Sequence, residues 1–200
     1  MNHLGHLFSV ASLSAAFLAL AACGGSSSDN ATPAAGSDLN GTWASTCVGP
    51  VNGMYSVTTI TYDDLALTGN YSEYSDAACA SKVHSTDWTG TSTIAGKTAT
   101  GETKIDIAYA SFKSTPLTAA NAGQNNAYKY CESTDWAAGT TKDILGKTCQ
   151  GFSIPVGGKS LDIYKVSGTT LTFGKDAKIA VTLAESDRPT TLQAYGLTKK

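Results

Sequence analysis

Residues that could carry enzyme chemistry are few in this chain of 200 residues. His84 is the one histidine after His6, and Asp87 follows it by three positions. Positions i and i+3 of a β-strand face opposite sides, so these two side chains cannot form a local Ser-His-Asp unit. The sequence also lacks a Gly-x-Ser-x-Gly nucleophile motif. We therefore expect His84 to lie on the surface and the protein not to be an enzyme.

A short motif, Gly157-Gly158-Lys159-Ser160, is similar to the end of a phosphate-binding loop. The full motif needs a glycine at position 153, where this chain has serine, and Pro155 would stiffen the loop. We expect no nucleotide and no other cofactor.

Acidic side chains are weak candidates for metal binding and for sugar hydrolysis. Asp63 and Asp64 form a turn signal, and Asp76 lies three residues before Cys79. These carboxylates could hold calcium weakly, whereas glycoside hydrolysis needs two facing carboxylates about 5–10 Å apart. A zinc site is usually marked by Cys-x-x-Cys pairs or several histidines, and the chain after residue 22 has neither. We predict no metal site and no catalytic residues.

The composition favours strands over helices and argues against nucleic acid as a partner. The formal net charge is −2 and charged residues make up 15% of the chain, so no basic face for phosphates is expected. The chain contains 27 Thr, 21 Ser, 20 Gly and 9 Tyr, but only 4 Glu and 2 Met. The first group is common in strands and turns, whereas Glu and Met favour helices.

The N-terminus has the features of an export signal. Residues 7–22 are apolar or small and would span about 24 Å as a helix, less than the ~30 Å hydrocarbon core of a bilayer. The segment ends in Leu20-Ala21-Ala22-Cys23, which resembles the bacterial lipobox. The resemblance implies cleavage before Cys23, a diacylglyceryl group on its sulfur and N-acylation. Two or three acyl chains make a stable anchor. An ordinary cleaved signal that ends near a cysteine is the alternative.

These features divide the chain into a signal peptide at 1–22, a lipidated flexible tether at 23–38 and a folded domain at 39–200. The tether has no large apolar side chain before Leu39, so it cannot offset the entropy cost of ordering. Gly24, not aspartate, follows Cys23, which by resemblance to enterobacterial sorting favours the outer membrane. We expect a protein of the bacterial cell envelope that is held to the membrane by its lipid.

Four cysteines follow Cys23, and an even number in an exported protein suggests two disulfides with three possible pairings. Cys47 follows the first expected strand, and two further strands lead to Cys79, which places both at one end of a meander. Cys131 and Cys149 bracket a loop-like insert. We predict the pairs Cys47–Cys79 and Cys131–Cys149.

Alternation of apolar and polar residues predicts eight to ten short strands and one short helix. The helix is expected at 118–126, and 127–131 is a weaker strand candidate. Further strands are expected at 41–48, 54–62, 65–74, 83–94, 102–112, 151–154, 160–166, 169–173, 177–183 and 190–197. Such spacing is typical of a closed barrel or a sandwich.

The sequence Ser-Thr-Asp-Trp occurs twice, ending at Trp88 and at Trp136. We expect both tryptophans to anchor loop-to-strand entries and to be more exposed than Trp43; a paired ligand site is the alternative. Six tyrosines are expected in the core or in aromatic girdles, and the alternative is that some of them line a pocket: Tyr55, Tyr62, Tyr71, Tyr74, Tyr128 and Tyr130.

Two motifs are similar to the opening of bacterial lipocalin-like lipoproteins: Leu39-x-Gly41-x-Trp43 with Cys47 four residues later, and Tyr71-x-x-Tyr74-x-Asp76-x-x-Cys79. The resemblance implies an all-β, antiparallel up-and-down barrel of 8–10 strands with a short helix or loop insert. It also implies that Trp43 plugs the closed end of the barrel and that Arg188 stacks on the Trp43 ring.

The resemblance leaves two hypotheses for function. A barrel with small inward residues would bind a small apolar or amphipathic ligand, whereas one filled by large residues would be a non-enzymatic surface interaction, adhesion or envelope-structure protein. The many Thr and Ala residues in the expected strands favour the cavity. Neither the ligand-binding residues nor a protein partner follow from the sequence.

Overall fold

The computed structural model describes residues 37–200. The predicted signal peptide, the predicted lipidation site Cys23 and nearly all of the predicted tether lie outside the described residues. Within the described part of the chain, no helix has both the length and the apolar composition that a bilayer crossing requires.

Strands make up most of the regular structure of residues 37–200. They are β1 Gly41–Ala44, β2 Val48–Val51, β3 Met54–Asp63, β4 Ala66–Tyr74, β5 Lys82–Lys97, β6 Thr103–Pro116, β7 Lys142–Asp143, β8 Thr148–Cys149, β9 Phe152–Ser153, β10 Lys159–Ser167, β11 Thr170–Phe173, β12 Ile179–Ala180 and β13 Leu197–Lys199. One α-helix, α1, spans Ala119–Ala127, and short 3₁₀ helices span Ser37–Leu39, Tyr130–Glu132 and Glu185–Asp187.

Eight of these strands form a closed antiparallel barrel. Around the barrel their order is β1-β3-β4-β5-β6-β10-β11-β13, and β13 pairs with β1 to complete the circle. This order is also their order along the chain, which makes the barrel an up-and-down meander. β2, β7 and β12 pair with single barrel strands, and β8 and β9 form a separate two-stranded sheet. The predicted all-β antiparallel barrel with a short helix is confirmed.

Helix α1 begins where the sequence predicts a helix. Thr118 is the N-cap, and its hydroxyl accepts the backbone N–H of Asn121 at 3.1 Å. The weaker strand candidate at 127–131 is wrong, because α1 continues through Ala127 and both Lys129 and Cys131 have left-handed backbone conformations. These conformations interrupt a strand and make a 3₁₀ turn instead.

The last strand is shorter than predicted. Pairing with β1 and β11 begins only at Leu197, and the preceding segment makes a single bridge between Leu192 and Gly174. The chain before β13 therefore runs mainly as irregular structure.

Trp43 belongs to the barrel core and has no solvent exposure. Its indole Nε1 donates a hydrogen bond to the carbonyl of Leu39, which is also fully buried. The ammonium group of Lys199 lies 5.1 Å from the centroid of the ring. The start of the domain is thus fixed to the inside of the barrel by one large aromatic side chain.

Arg188 does not take the position over Trp43 that the resemblance implies, because the cation at that ring belongs to Lys199 on β13. The Arg188 guanidinium instead donates to the carbonyls of Ile105 on β6 and Asp162 on β10. Its remaining N–H groups donate to the carboxylates of Asp106 and Glu185. Arg188 therefore binds across the β6–β10 seam that closes the barrel.

Both predicted disulfides are present. Cys47–Cys79 links the segment after β1 to the β4–β5 connection, with 5.8 Å between the Cα atoms. Cys131–Cys149 lies within the insert between β6 and β10, where both cysteines are buried. Both predicted pairings are confirmed. The first was expected from the meander order of the strands and the second from the loop-like insert.

The insert at 117–158 has its own small core, and Trp136 is buried in it, only slightly more exposed than Trp43. Trp136 is 4% exposed and packs with Phe112, Ile144 and the buried disulfide. The Asn126 side chain donates to the Trp136 carbonyl and accepts its backbone N–H. Trp88, by contrast, lies in β5, so the two tryptophans do not anchor similar loop-to-strand entries.

We predict that Trp43→Ala lowers the free energy of unfolding by about 3–5 kcal/mol, because it leaves a large void in a closed core. Urea denaturation followed by far-UV circular dichroism measures this loss. Trp88→Ala is the matched control and should cost less, since Trp88 is only partly buried. A loss below that of Trp88→Ala would contradict the position of Trp43 in the barrel core.

Candidate functional site

The barrel strands enclose an apolar cavity. Alternation turns every second side chain inward, and the space left between these side chains forms an inner cavity of about 260 Å³. Aliphatic side chains of Ile60, Leu67 and Ile107 contribute to its wall. Aromatic rings make up much of the remaining wall, and these are Tyr62, Trp88, Tyr109, Phe112 and Phe173.

A glycine keeps the largest of these rings against the wall. Gly69 on β4 pairs with Trp88 on β5, and a Cβ atom at Gly69 would lie 2.0 Å from the Trp88 ring. Any side chain at position 69 would therefore displace the indole from the backbone of β4. Trp88 also stacks on Phe112, with 5.9 Å between ring centroids.

A second, outer cavity of about 440 Å³ continues from the inner one. The two share the lining residues Ile60, Asp162 and Phe173. The outer cavity is also lined by Tyr71 and Tyr195, which are 36% and 65% exposed. Solvent therefore reaches the outer cavity at these two tyrosines.

Asp162 on β10 places a carboxyl group where the two cavities meet, although the residue is only 7% exposed. Its Oδ1 accepts the backbone N–H groups of Ile163 at 2.7 Å and Gly174 at 3.0 Å. Burial raises the pKa of this carboxyl to about 7, although the two backbone donors and Arg188 act in the opposite direction. The inner cavity thus contains one carboxyl group in a wall made mainly of aliphatic and aromatic side chains.

Two hydroxyl groups near this carboxyl lack partners. Tyr62 Oη and Ser92 Oγ adjoin each other, yet both are buried without a partner in hydrogen-bonding geometry among the described residues. Burial raises the pKa of the Tyr62 phenol above its ordinary value and that of Tyr109 to about 12, and the negative charge of Asp162 acts in the same direction. Both phenols are therefore neutral hydrogen-bonding groups of the cavity.

A second constellation joins three strands, and the expectation that His84 lies on the surface was wrong. His84 is 6% exposed; its Nε2 lies 2.7 Å from Ser114 Oγ and its Nδ1 lies 3.1 Å from Glu73 Oε2. Glu73 is directly opposite His84 on β4, and Ser114 is on β6. Asp87 takes no part, since its carboxylate accepts from Asn70.

Ser114, His84 and Glu73 are linked by hydrogen bonds in the same sequence as the Ser, His and acid of a hydrolase triad. The structure leaves no space for a substrate beside Ser114. Ser114 has no solvent exposure, and neither Ser114 nor His84 belongs to the wall of the two cavities. The ring of Tyr130 from the insert packs edge-on against His84, with 6.0 Å between centroids. The three side chains satisfy one another inside the fold, where an unpaired polar group is costly.

The other motifs taken from the sequence lie in connections between elements. Gly157 has a positive φ, and Gly158 donates its N–H to the Pro155 carbonyl immediately before β10. The Asp76 carboxylate accepts backbone N–H groups of the β4–β5 connection. Asp64 lies in the tight turn after β3. The structure does not bring Asp76 together with Asp63 and Asp64 as a metal-binding group among the described residues.

Sequence reasoning found part of the cavity wall. Tyr62 and Tyr71 line the cavities, which is the alternative to a core or girdle position, whereas Tyr128 is 69% exposed. The sequence did not predict that Tyr109 and Asp162 line the cavity. The alternation of Ile105, Ile107 and Tyr109 was the available signal for Tyr109, but the inner face could not be identified without the barrel.

We predict that His84→Ala lowers the free energy of unfolding by about 1–3 kcal/mol, because it leaves the buried Ser114 hydroxyl and the Glu73 carboxylate without a partner. Thr89→Ala, which removes a hydroxyl pair with Ser111 at the exposed surface, is the matched control and should cost much less. Urea denaturation measures both. Covalent labelling of Ser114 by a fluorophosphonate would contradict the purely structural role of this group.

We predict that Asp162 makes the protein less stable as pH rises from about 4 to about 7. Because its pKa is higher in the folded chain than the ordinary value near 4, the fold favours the protonated form, and that contribution is lost as the carboxyl ionises. Asp162→Asn should remove this loss, so the variant should exceed the wild type in stability by up to about 4 kcal/mol above pH 7. Unfolding curves at several pH values test this, and parallel pH profiles for the two proteins would contradict it.

Searches against family models and curated proteins find no match for this sequence. The inference about function therefore depends on the barrel, its cavities and the groups that line them.

Proposed function

We propose that this protein is a lipid-anchored lipoprotein of the bacterial envelope whose lipocalin-like barrel binds a small apolar or amphipathic ligand. The observation that carries the proposal is the cavity inside the barrel, walled by aliphatic and aromatic side chains around a single carboxyl group. Small-molecule sites are typically concave and mostly apolar, with a few placed polar groups that orient the ligand.

The size of the inward residues supports a cavity over a packed interior. At the level of the outer cavity, the inward positions of β3 carry Ser56 and Thr58 where a packed barrel would have large aliphatic residues. Deeper in the barrel, Gly69 leaves room for the Trp88 ring against the wall. An eight-stranded barrel can be filled by side chains or hold one small ligand, and these residues favour the second.

The anchor in this proposal is Cys23. The lipobox ending at Cys23 and the tether before Leu39 would place the barrel at a membrane surface, with Gly24 favouring the outer membrane. A barrel held at the membrane could take up or release a ligand that is sparingly soluble in water. No catalytic step is part of the proposal.

A second candidate is a non-enzymatic interaction or envelope-structure protein. It is favoured by apolar side chains that the insert leaves at the surface: Tyr128, Phe152 and Val156 are 69%, 43% and 71% exposed. In that case the barrel would be a scaffold, and its cavities would not hold a specific ligand.

Native mass spectrometry of the protein purified from its own host in detergent tests the proposal. We expect a bound small molecule that survives purification and is lost in Ile60→Trp, because Ile60 lines both cavities and a larger ring would obstruct the space where they adjoin. Thr61→Trp at the next, outward-facing position is the matched control and should keep the molecule. Absence of any bound molecule from the wild type, or equal binding to both variants, would contradict ligand binding inside the barrel.

The same spectra test the anchor separately. Intact mass should show a chain that begins at Cys23 and carries a diacylglyceryl group and a further acyl chain. Cys23→Ala should give an uncleaved or unacylated protein. A processed wild-type chain without lipid would overturn the anchor while leaving the ligand result unaffected.

A further inference from the structure

We propose that the cavity is built for an organic cation: an ammonium group on a small aromatic or aliphatic body, with Asp162 as its counter-ion. This inference rests on the proposed function, since it names the class of ligand that the barrel would bind. Three features of the cavity carry it: the free oxygen of a fixed carboxyl group, the absence of a salt bridge to that group among residues 37–200, and a wall of aromatic rings.

The Asp162 carboxyl is held in one orientation with one oxygen free. Its Oδ1 is occupied by the backbone N–H groups of Ile163 and Gly174, and among the described residues no hydrogen bond reaches its Oδ2. Gly174 is needed for this contact, because a Cβ atom there would lie 2.4 Å from Oδ1. The free oxygen belongs to a residue that lines both cavities.

The Arg188 guanidinium makes no salt bridge to this carboxylate, although its charge acts to lower the pKa of the group. Arg188 contacts Asp162 through the backbone carbonyl, and its five N–H donors are all used by that carbonyl, the Ile105 carbonyl, Asp106 and Glu185. A buried ionised carboxylate without a salt bridge is costly, so a cationic group entering the cavity would lower that cost.

The aromatic wall also favours a positively charged ligand. The faces of Trp, Tyr and Phe rings carry negative potential and attract ammonium groups within about 6 Å of their centroids. Tyr62, Trp88, Tyr109, Phe112 and Phe173 surround the inner cavity. An anion would be repelled by both the carboxylate and the ring faces.

The volume limits the body of the ligand. A cavity of roughly 150 Å³ is enough for benzene in an engineered protein core. The inner cavity of about 260 Å³ therefore accommodates one aromatic ring with a short arm.

Three compounds of nearly equal shape test the inference: phenethylammonium, 2-phenylethanol and phenylacetate. We would measure their affinities for the full mature protein at pH 8 by isothermal titration calorimetry. We expect the ammonium to bind at least about tenfold more tightly than the alcohol, a difference of about 1.4 kcal/mol, and phenylacetate to bind more weakly than either.

Asp162→Asn should reduce the affinity for phenethylammonium to that for 2-phenylethanol, with alcohol binding unchanged, because the asparagine oxygen can still accept both backbone N–H groups. Asp87→Asn, on the outward side of β5, is the matched control and should keep the preference. Trp88→Leu is a second variant that should reduce the ratio of ammonium to alcohol affinity if Asp162→Asn does not fold.

The outcomes separate the two proposals. Equal affinity for the ammonium and the alcohol, or a preference unchanged in Asp162→Asn, would overturn the cation class while leaving ligand binding in the barrel intact. No binding of any of the three compounds, with no molecule carried through purification, would overturn both.

Discussion

Pairing of β6 with β10 is the interaction on which the rest of this structure depends. It joins the two halves of the meander across the long insert and converts an open sheet into a barrel, with six residue pairs between the strands. Arg188 donates to a carbonyl on each strand of this seam and is held there by Asp106 and Glu185. Without closure, the inward residues would face solvent and no enclosed cavity would exist.

Closure also explains why one face of the sheet carries unusual residues. In a closed barrel the inward side chains share a limited volume, so large rings must be matched by small residues, as Trp88 is by Gly69. The same constraint brings the Asp162 carboxyl into a setting where burial raises its pKa. Asp162 thus lowers the stability of the empty barrel once its carboxyl ionises.

The sequence predicts local features well and contacts between distant strands poorly. Strand alternation and the Ala- and Asn-rich segment at 118–126 depend on neighbouring residues, so most of the strands and helix α1 follow from them. Both disulfides follow from the even number of cysteines, the meander order of the strands and the loop-like insert. The burial of His84 and Trp136 was not predicted because their partners come from other strands or from the insert, and polar neighbours in sequence say little about them. Asp162 could not be assigned to the cavity until the inner face of β10 was known.

Chemical-shift mapping is the most direct test of the claim that the interior of the barrel is the binding site. Titration of the isotope-labelled mature protein with 2-phenylethanol should shift backbone amide signals of cavity residues such as Ile60, Ile107 and Phe173, on three different barrel strands. Shifts confined to exposed residues of the insert, such as Phe152 and Val156, would contradict the account and favour a surface-interaction protein.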